Sequence, residues 1–416
     1  MADPEFKSEF LKTMQARGYI HQITHPVELD GAAVAGPIAA YIGFDATAAS
    51  LHVGHLIQVM MLRRLQQAGH KPIVVMGGGT TKVGDPTDKD GQRPLLTHDQ
   101  IQANIATIKG TFEKFLTFGN GPTDAIMVDN DAWLSKNGYV EFLREFGVHF
   151  TINRMLAFDS VKARLDREQP MTFLEFNYML MQSVDFLELE RRLDCVLQMG
   201  GSDQWGNIVN GVELIRRVDG KPAFGLTTPL LSTASGAKMG KTVGGAVWLN
   251  ADLRSPYDYW QFWRNTEDAD VGRFLRLFTD LPLDEIARLD TLPGSQINEA
   301  KKVLANEATT LLHGAGAAAE AELRAQKVFL EGKISEGAEN LTFEWGDYQL
   351  RTAAALVKAA NLANSVKEAN TLIIAGRAMV NNTPVSLESK FSQADVMPDG
   401  NFVIQVGKRI RNLKPT

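Results

Sequence analysis

Alternating apolar and polar segments predict a parallel α/β sheet near the start of the chain. Residues 38–44 and 72–76 are short apolar runs, and residues 53–68 carry apolar side chains at helical spacing between them. A strand, a helix and a strand in this order form a βαβ unit, whose right-handed crossover implies parallel strands. Later apolar runs predict further strands at 125–128, 194–199 and 225–231. We therefore expect a Rossmann-like, doubly wound sheet that binds ligands beyond the carboxyl ends of its strands.

The pattern changes after Ser255 and Pro256 and divides the chain into several predicted domains. Residues 1–250 are predicted to form the Rossmann-like domain, and residues 251–330 show the apolar spacing of an all-α domain. A stretch rich in Gly, Glu and Asn follows and predicts a linker at 331–344. The remaining residues, 345–416, form a small module. Several domains are expected from a chain of 416 residues.

Composition indicates an ordinary globular protein of a reducing compartment. The chain is 44% hydrophobic and 22% charged, and it contains no apolar run of the length that a membrane helix requires. Its single cysteine, Cys195, excludes an internal disulfide and a zinc site built from cysteines. The N-terminus lacks a signal-peptide pattern, and residues 2–6 resemble a cloning remnant that we exclude from fold reasoning. We expect a cytoplasmic protein without a membrane segment.

Charge is unevenly distributed along the chain. The net charge is −6, yet the segment 351–416 contains nine Lys and Arg against four Asp and Glu. A basic C-terminal module on an acidic body favours binding of a polyanion such as RNA. Drift in surface charge is the alternative interpretation.

Two histidines follow the first strand closely. The segment Gly43 to Thr47 ends that strand, and His52 and His55 then stand at the predicted start of the first crossover helix. Free backbone amides and the helix dipole make such an end suitable for phosphate, and imidazoles can donate hydrogen bonds to a leaving pyrophosphate. Gly54 permits close approach of a nucleotide. A chance pair or a metal site is the alternative.

A second group of candidate residues lies in a glycine-rich loop. Lys238 and Lys241 stand three residues apart among glycines 236, 240, 244 and 245. Lysines on a mobile loop can close over phosphates during the reaction and withdraw afterwards. By itself the loop is better explained as a solvated basic turn.

Polar side chains on an apolar helix predict a pocket. In a helix predicted at 172–187, Tyr178, Gln182 and Asp185 share one face, and almost all other positions are apolar. Such a buried polar stripe must line a pocket or form a structural hydrogen-bond network. Asp85 follows the second strand, and Asp203 and Gln204 follow the strand at 194–199, so all three belong at the ligand edge of the sheet.

In their joint order these segments resemble the bacterial tyrosyl-tRNA synthetases, over roughly residues 10–330. The resemblance implies that Tyr41 and Asp185 hold the phenolic hydroxyl of substrate tyrosine, and that Asp85, Tyr178 and Gln182 hold its ammonium group. Gln204 then serves the carboxylate and Asp203 the ribose of ATP.

The resemblance also implies a set of ATP contacts and catalytic residues. The catalytic residues would be Thr47, His52, His55, Lys238 and Lys241. The ATP-binding residues would be Gly43, Asp45, His52, Gly54, His55, Lys89, Arg93, Asp203, Lys238 and Lys241. Mg²⁺ would arrive with ATP, and no metal site built by the protein is expected. Among the departures from the family, Ala46 replaces a usual proline, and Ile42 cannot donate the hydrogen bond of a usual cysteine, so we leave Ile42 out of the site.

Family members pair as homodimers through an insertion, here about 124–187, and charge tRNA(Tyr). The helical segment resembles their anticodon-side domain, and the tail resembles a small α+β RNA-binding module. Tryptophanyl-tRNA synthetases share the fold, but indole offers no hydroxyl to Tyr41 and Asp185. A catalytically inactive RNA-binding paralogue would be expected to lose the histidine and lysine motifs, and a zinc hydrolase lacks a third ligand at a recognisable spacing.

Overall fold

A six-stranded sheet organises the first part of the chain in the computed structural model. The structure describes residues 5–85, 96–136, 138–236, 239, 241–242, 245–330, 339–346, 350–381, 383–397, 400–407 and 409–416. The strands of the sheet are β1 (Gln22–Ile23), β2 (Ala39–Phe44), β3 (Lys71–Met76), β4 (Ile126–Asp129), β5 (Cys195–Gly201) and β6 (Phe224–Thr228).

The strand order confirms the predicted doubly wound parallel sheet. The order is β1-β6-β5-β2-β3-β4, and only β1 runs antiparallel to its neighbour. From β2 the chain winds to β3 and β4 on one side, and from β5 it winds to β6 on the other. The carboxyl ends of β2 and β5 therefore form the switch point where such sheets bind ligands. The strand predicted at 225–231 ends earlier, at Thr228, because Pro229 has no N–H to donate to a neighbouring strand.

Helices cover both faces of this sheet. They are α1 (Glu9–Ala16), α2 (Pro26–Ala35), α3 (Val53–Gln67), α4 (His98–Phe112), α5 (Asp131–Leu134), α6 (Tyr139–Glu145), α7 (Ile152–Leu156), α8 (Asp159–Asp166), α9 (Phe173–Phe176), α10 (Tyr178–Leu193) and α11 (Trp205–Val218). The crossover helix predicted at 53–68 corresponds to α3, and the insertion between β4 and β5 contains α5 to α10. The sheet and its two crossovers thus follow the apolar pattern of the sequence.

The prediction of one helix at 172–187 is wrong, because the segment forms two helices. Asn177 separates α9 from α10, and its side-chain amide donates to the backbone carbonyl of Phe173 at 2.7 Å. Asparagine side chains compete in this way with the backbone bonds of a helix. The longer helix therefore begins at Tyr178 and extends to Leu193, beyond the predicted end.

A short hairpin and five longer helices follow the sheet. The hairpin strands are β7 (Lys241–Thr242) and β8 (Gly245–Ala246). The helices are α12 (Pro256–Arg264), α13 (Val271–Phe278), α14 (Leu283–Asp290), α15 (Ile297–His313) and α16 (Ala315–Leu330). The helices confirm the helical pattern after Ser255, but their core is not separate, since Trp263 and Leu304 belong to the same buried cluster as Met60 of α3.

Arginine side chains fasten these helices to the sheet domain. Arg64 of α3 is 3% exposed and donates to Asp280 at 2.5 Å, and Arg63 donates to the same carboxylate at 3.0 Å. Arg17 donates to the backbone carbonyls of Thr279 and Leu281 at 3.1 and 2.7 Å. Carbonyls after the end of α13 lack partners within the helix, so the guanidinium groups satisfy them and complement the helix dipole.

The C-terminal part has a sheet and core of its own. Its remaining elements are β9 (Glu339–Phe343), β10 (Arg351–Thr352), α17 (Ala353–Ala359), α18 (Val366–Ile374), β11 (Ala378–Val380), β12 (Thr383–Pro384), β13 (Lys390–Phe391), β14 (Phe402–Val406) and β15 (Arg409–Pro415). The larger sheet has the order β12-β11-β14-β15-β9, and Trp345, Leu356 and Phe402 are among its core residues.

One predicted boundary is wrong in this region. The linker was expected at 331–344, but 339–343 is strand β9, which pairs in parallel with β15 from Glu339 opposite Arg411 to Phe343 opposite Pro415. The composition of 339–343 did not reveal this strand, because its pairing partner lies at the far end of the chain. Residues 331–338 lie outside the described part. None of the helices within the described ranges is long and apolar enough to cross a membrane.

Candidate active site

A cavity of about 220 Å³ opens at the carboxyl ends of β2, β3 and β5. This is the position that the topology predicts for a ligand. Its lining includes most of the residues that the sequence singles out: Tyr41, Gly43, Asp45, Thr47, His55, Asp85, Tyr178, Gln182, Asp185, Asp203 and Gln204. Ile42, which we left out of the site, also lines the cavity, together with Thr80, Asn130 and Gln198.

The polar stripe of α10 faces this cavity, as the helical spacing predicts. Tyr178, Gln182 and Asp185 all line it. The hydroxyl of Tyr178 donates to Asp45 at 3.2 Å, and burial together with neighbouring carboxylates raises the pKa of Tyr178 well above its ordinary value. Tyr178 is therefore a neutral donor that is held in place by a carboxylate. Asp45, which the resemblance assigns to ATP, thus contacts Tyr178, which the resemblance assigns to the ammonium group of tyrosine.

Asp185 lines the cavity and is 4% exposed. Its two oxygens accept hydrogen bonds from the amide of Asn130 at 2.8 Å and from the indole of Trp133 at 2.7 Å. Burial raises the pKa of Asp185 to about 7, although both hydrogen bonds oppose this shift. Near neutral pH the carboxyl group can therefore either accept or donate a hydrogen bond.

The sequence patterns did not single out Asn130 and Trp133. Asn130 follows the end of β4 directly, so the rule that polar residues after a strand lie at the ligand edge would have found it. Its side-chain oxygen also accepts from the backbone N–H of Gly79 at 2.7 Å, which joins the glycine-rich turn after β3 to the pocket. Trp133 carries no such signal, because its partner Asp185 is distant in sequence.

Tyr41 presents a hydroxyl that has no hydrogen-bond partner among the described residues. The side chain is 1% exposed, and burial, with Asp185 as a further contributor, raises the pKa of Tyr41 well above its ordinary value. A buried polar group without a partner costs about 1–3 kcal/mol. Because Tyr41 and Asp185 line one cavity, a ligand that brings a hydroxyl group would satisfy both.

Side-chain amides linked by hydrogen bonds form another part of the cavity wall, which includes Gln182 and Gln204. The amide of Gln204 donates to Asp85 at 2.8 Å, and the amide of Asn207 donates to Gln182 at 3.0 Å and to Gln204 at 3.1 Å. Asn207, in the first turn of α11, is a further residue that the sequence patterns did not single out. With Asp45 and Asp85 close by, this wall favours a cationic group such as ammonium.

The two histidines cap α3 with their own side chains. His52 is the N-cap, and its Nδ1 accepts from the backbone N–H of Gly54 at 3.0 Å. His55 Nδ1 accepts from the backbone N–H of His52 at 3.2 Å, and the two ring centroids lie 3.9 Å apart. A neutral imidazole that accepts through Nδ1 carries its proton on Nε2. Each ring therefore presents an N–H donor at a positive helix end.

Gly54 is required by these rings. A Cβ atom at this position would lie 2.7 Å from the ring of His52 and 3.4 Å from the backbone oxygen of Met239. Gly54, which we expect to permit close approach of a nucleotide, thus also leaves space for the ring of His52. Met239 belongs to the lysine loop, so the two motifs meet at Gly54.

Backbone pairing holds the lysine loop beside the histidines. The N–H of Val53 donates to Val247 at 2.8 Å, the N–H of Leu249 donates to Leu51 at 2.9 Å, and His52 pairs with Trp248 between them. The backbone of Lys241 belongs to β7, close to this pairing. Lys238, Lys89 and Arg93 lie outside the described residues. Within the described ranges, no group of three or more metal-ligating side chains occurs.

Comparison with known proteins agrees with this arrangement. The chain belongs to the tRNA synthetases of class I for tryptophan and tyrosine (W and Y), whose family pattern matches residues 33–330. A tyrosine–tRNA ligase of Caulobacter sp. (strain K31) is 71% identical over 384 residues, which are 92% of this chain and 91% of the relative. The tyrosine–tRNA ligase of Zymomonas mobilis is 63% identical over 377 residues, 91% of each chain.

Solved structures show the same fold. A C-terminally truncated mitochondrial tyrosyl-tRNA synthetase of Aspergillus nidulans superposes with a TM-score of 0.70 at 29% identity, covering 78% of this chain and 95% of that chain. A tyrosyl-tRNA synthetase of Archaeoglobus fulgidus, solved with L-tyrosine, has a TM-score of 0.55 at 18% identity and covers 74% of this chain and 99% of that chain.

Proposed function

We propose that the chain is a tyrosine–tRNA ligase, which activates tyrosine with ATP and transfers it to the 3′-terminal adenosine of tRNA(Tyr). The observation that carries the choice of amino acid is the buried hydroxyl of Tyr41, which lines one cavity with Asp185. A pocket with buried groups that await a hydroxyl selects an amino acid bearing one and rejects its analogue without it, an effect for which tyrosyl-tRNA synthetases are themselves the standard example.

Tyrosine fits the polarity of the cavity from one end to the other. Its phenolic hydroxyl is placed at Tyr41 and Asp185. Its ammonium group is placed beside Asp85, Tyr178 and Gln182, where carboxylates and the amide chain favour a cation. Its carboxylate then lies near Gln204, at the mouth that leads to the histidines.

Activation requires attack of the tyrosine carboxylate on the α-phosphorus of ATP. A new C–O–P linkage forms while the bond from the α-phosphorus to the pyrophosphate oxygen breaks. Negative charge grows on the departing pyrophosphate, where the Nε2–H donors of His52 and His55 stabilise it. We assign stabilisation of the same pyrophosphate charge to Thr47, Lys238 and Lys241. We assign binding of the ribose of ATP to Asp203. We assign Lys89 and Arg93 to the pyrophosphate, and Gly43, Asp45 and Gly54 to the surface against which ATP lies.

Mg²⁺ would come to this site with the phosphates of ATP, whose negative charge it would offset. The ion is small, prefers phosphate and carboxylate oxygens, and keeps several of its waters, so a dedicated protein cage is not required. In the second step a hydroxyl of the terminal adenosine attacks the tyrosyl carbonyl, and AMP leaves. We place both steps in the cytoplasm, where tRNA is charged.

The C-terminal module is assigned to tRNA. Its excess of Lys and Arg suits contacts with phosphates, which supply a salt-dependent part of affinity. Because β9 pairs with β15, we place the start of this module at Glu339 rather than at 345. The helices from Pro256 to Leu330 are assigned to the anticodon side of the tRNA.

We further propose a homodimer through the insertion at about 124–187. Large apolar side chains of this segment are more than half exposed in the single chain: Tyr139, Val140, Val148, Ile152 and Phe173. Exposed large apolar side chains gathered in one segment support an interface there. Sedimentation of wild-type protein and of Phe173→Asp tests this, and a wild-type monomer at micromolar concentration would refute it.

A tryptophan-specific enzyme is the nearest alternative. Indole brings no hydroxyl to Tyr41 and Asp185, so the buried donor and acceptor would stay unsatisfied. An inactive RNA-binding paralogue is the other alternative, and the capping geometry of both histidines argues against it.

Exchange of radiolabelled pyrophosphate into ATP, measured with a panel of amino acids, tests the proposal. We expect exchange that depends on tyrosine and on Mg²⁺. Exchange with tryptophan but not with tyrosine would refute the assignment, and no exchange with any amino acid would support the inactive paralogue.

A further inference from the structure

A buried glutamine lies beside Tyr41 on the neighbouring strand. Gln198 of β5 is the register partner of Tyr41 of β2, and parallel partners direct their side chains to the same face of the sheet. Gln198 is 2% exposed and lines the cavity. Its amide is therefore part of the same wall as the hydroxyl of Tyr41.

The Oε1 atom of Gln198 is buried and has no hydrogen-bond partner among the described residues. A Cβ atom placed on Gly211 of α11 would lie 3.2 Å from this oxygen and 2.9 Å from the ring of Phe186. The ring of Phe186 in turn lies 5.3 Å from that of Tyr41. Gln198, Phe186 and Tyr41 thus form one continuous surface, which fits against α11 because position 211 has no side chain.

We propose that the carboxamide of Gln198 is a third hydrogen-bonding group at the hydroxyl end of the amino-acid pocket, and that it contributes to selection of tyrosine over phenylalanine. The inference rests on the proposed function and adds a residue to its specificity. This end of the pocket would then contain the hydroxyl groups of Tyr41 and of the ligand. Their hydrogen-bonding partners would be the carboxylate of Asp185 and the amide of Gln198, which can donate as well as accept.

Burying the amide oxygen of Gln198 without a hydrogen-bond partner costs free energy. Its apolar surroundings would accommodate methionine, which has a similar length and needs no hydrogen bond. A buried amide oxygen without a partner is unfavourable in the empty pocket, and a ligand with a hydroxyl donor at that end would remove this unfavourable contribution. Phenylalanine would leave the amide oxygen unsatisfied. The amide therefore increases the difference in binding free energy between tyrosine and phenylalanine.

The experiment compares Gln198→Met with Gln58→Met in ATP–pyrophosphate exchange. Gln58 provides a matched control, because its Oε1 is also buried without a partner among the described residues and it also lines the cavity, but it lies beside Gly201. We expect Gln198→Met to lower kcat/KM for tyrosine about tenfold and to leave kcat/KM for phenylalanine unchanged or higher. Gln58→Met should leave the tyrosine-to-phenylalanine ratio unchanged.

Gly211→Ala supplies a second, independent variant. Its methyl group would displace Phe186 and Gln198, so the tyrosine-to-phenylalanine ratio should fall although no pocket polar group is removed. Melting temperatures identify any variant that fails to fold. If either Gln198→Met or Gly211→Ala fails to fold, the remaining variant tests the role of Gln198. An equal loss for both amino acids, or no loss, in the folded variants would overturn the role of Gln198. Absence of tyrosine-dependent exchange in the wild type would instead overturn the proposed function.

Discussion

The indole N–H of Trp133 donates a 2.7 Å hydrogen bond to Oδ1 of Asp185, which is 52 residues further along the chain. Trp133 lies on α5, the short helix that follows β4, whereas Asp185 lies on α10. The hydroxyl end of the pocket is therefore assembled from both ends of the insertion between β4 and β5. Because this contact favours the ionised carboxylate, it affects the stability of the fold and, under the proposed function, the selection of tyrosine.

Selection of tyrosine should increase with pH across neutrality. The pKa of Asp185 is about 7, so the carboxyl is mainly neutral below this pH and ionised above it. Only the ionised form is a full acceptor for a phenolic O–H, whereas phenylalanine donates nothing. The ratio of kcat/KM for tyrosine to that for phenylalanine should therefore rise with a midpoint near the pKa of the free enzyme. A ratio that is flat across neutral pH would contradict the role of Asp185.

The contribution of Asp185 to stability should change with pH in the direction opposite to its effect on tyrosine selection. In the unfolded chain an aspartate has a pKa near its ordinary value of 3.8, so between that value and about 7 the folded state binds more protons. The contribution of Asp185 to the free energy of unfolding therefore falls as pH rises through this window. The ionised carboxylate that we propose to favour tyrosine therefore lowers the stability of the fold.

Trp133→Phe should weaken tyrosine selection and shift its pH dependence upward. The change retains an aromatic ring but removes a donor that opposes the raised pKa of Asp185. A hydrogen bond to a charged group contributes about 1.5–3 kcal/mol, so kcat/KM for tyrosine should fall by about ten- to a hundredfold. Trp263→Phe is the matched control, since Trp263 is fully buried in α12 and is not among the residues that line the pocket. Equal effects of the two changes would show a general packing loss.

Replacing the histidines by asparagine should separate catalysis from helix capping. The side-chain oxygen of Asn accepts backbone N–H bonds at a helix start, as Nδ1 of His52 and His55 does, but Asn has no group in the place of the Nε2–H donor. His52→Asn and His55→Asn should keep the melting temperature and slow adenylate formation, with little change in tyrosine affinity.

His52→Ala is the informative companion, because it also loses the cap and should be less stable by about 1 kcal/mol. Rapid-quench measurement of adenylate formation beside calorimetry distinguishes the two effects. A normal chemical step in the asparagine variants would remove the histidines from the transition state.

Asp280→Asn should strongly destabilise the fold. The carboxylate of Asp280 contacts Arg63 and Arg64, and these contacts hold its pKa at about 2 despite partial burial. Loss of the charge leaves Arg64 buried without its partner, which costs about 3 kcal/mol in typical cases. The contribution is present above the unfolded pKa and is lost as pH falls through about 2.

Urea unfolding at neutral pH measures this change. Glu285→Gln is the control, because its ion pair with Arg288 is on the surface and should leave the midpoint unchanged. A wild-type midpoint for Asp280→Asn would mean that the backbone carbonyls alone hold the arginines.

Removal of the C-terminal module should impair charging of tRNA but leave adenylate formation nearly intact. The cut must fall within 331–338, because a cut near Asn340, which the sequence would suggest, divides strand β9. The proposed tyrosine and ATP contacts precede residue 242, so exchange activity should remain. Charging should fall more steeply with salt in the full chain than in the truncated one, since the module adds phosphate contacts.

A point substitution provides the control for this truncation. Arg411 of β15 forms an ion pair with Asp258 of α12 at 2.7 Å, and the two side chains are 8% and 18% exposed. Asp258→Asn removes this pair while the module stays attached. If Asp258→Asn impaired charging as much as truncation does, the placement of the module rather than its charge would be the cause. Equal charging by full and truncated chains at every salt concentration would show that the module is dispensable.

The sequence by itself determined the sheet, the crossover helix α3 and the positions of most pocket residues. Apolar runs are local signals, and strands with buried faces cannot shift without exposing them, so β2, β3 and β5 lie within a few residues of their predicted places. Helical spacing likewise placed Tyr178, Gln182 and Asp185 on one face. These features depend on neighbours in the chain, which the sequence displays directly.

Only the tertiary structure decided which distant groups complete the site. Trp133 and Asn130 reach Asp185 across the insertion, Gln198 lies beside Tyr41 through strand pairing, and β9 joins the sheet of the C-terminal module only because β15 pairs with it. None of these contacts has a local pattern, because each forms between segments that are separated in sequence and brought together by burial of the core. The raised pKa of Asp185 has the same origin, since desolvation is a property of the assembled pocket and not of an aspartate in a chain.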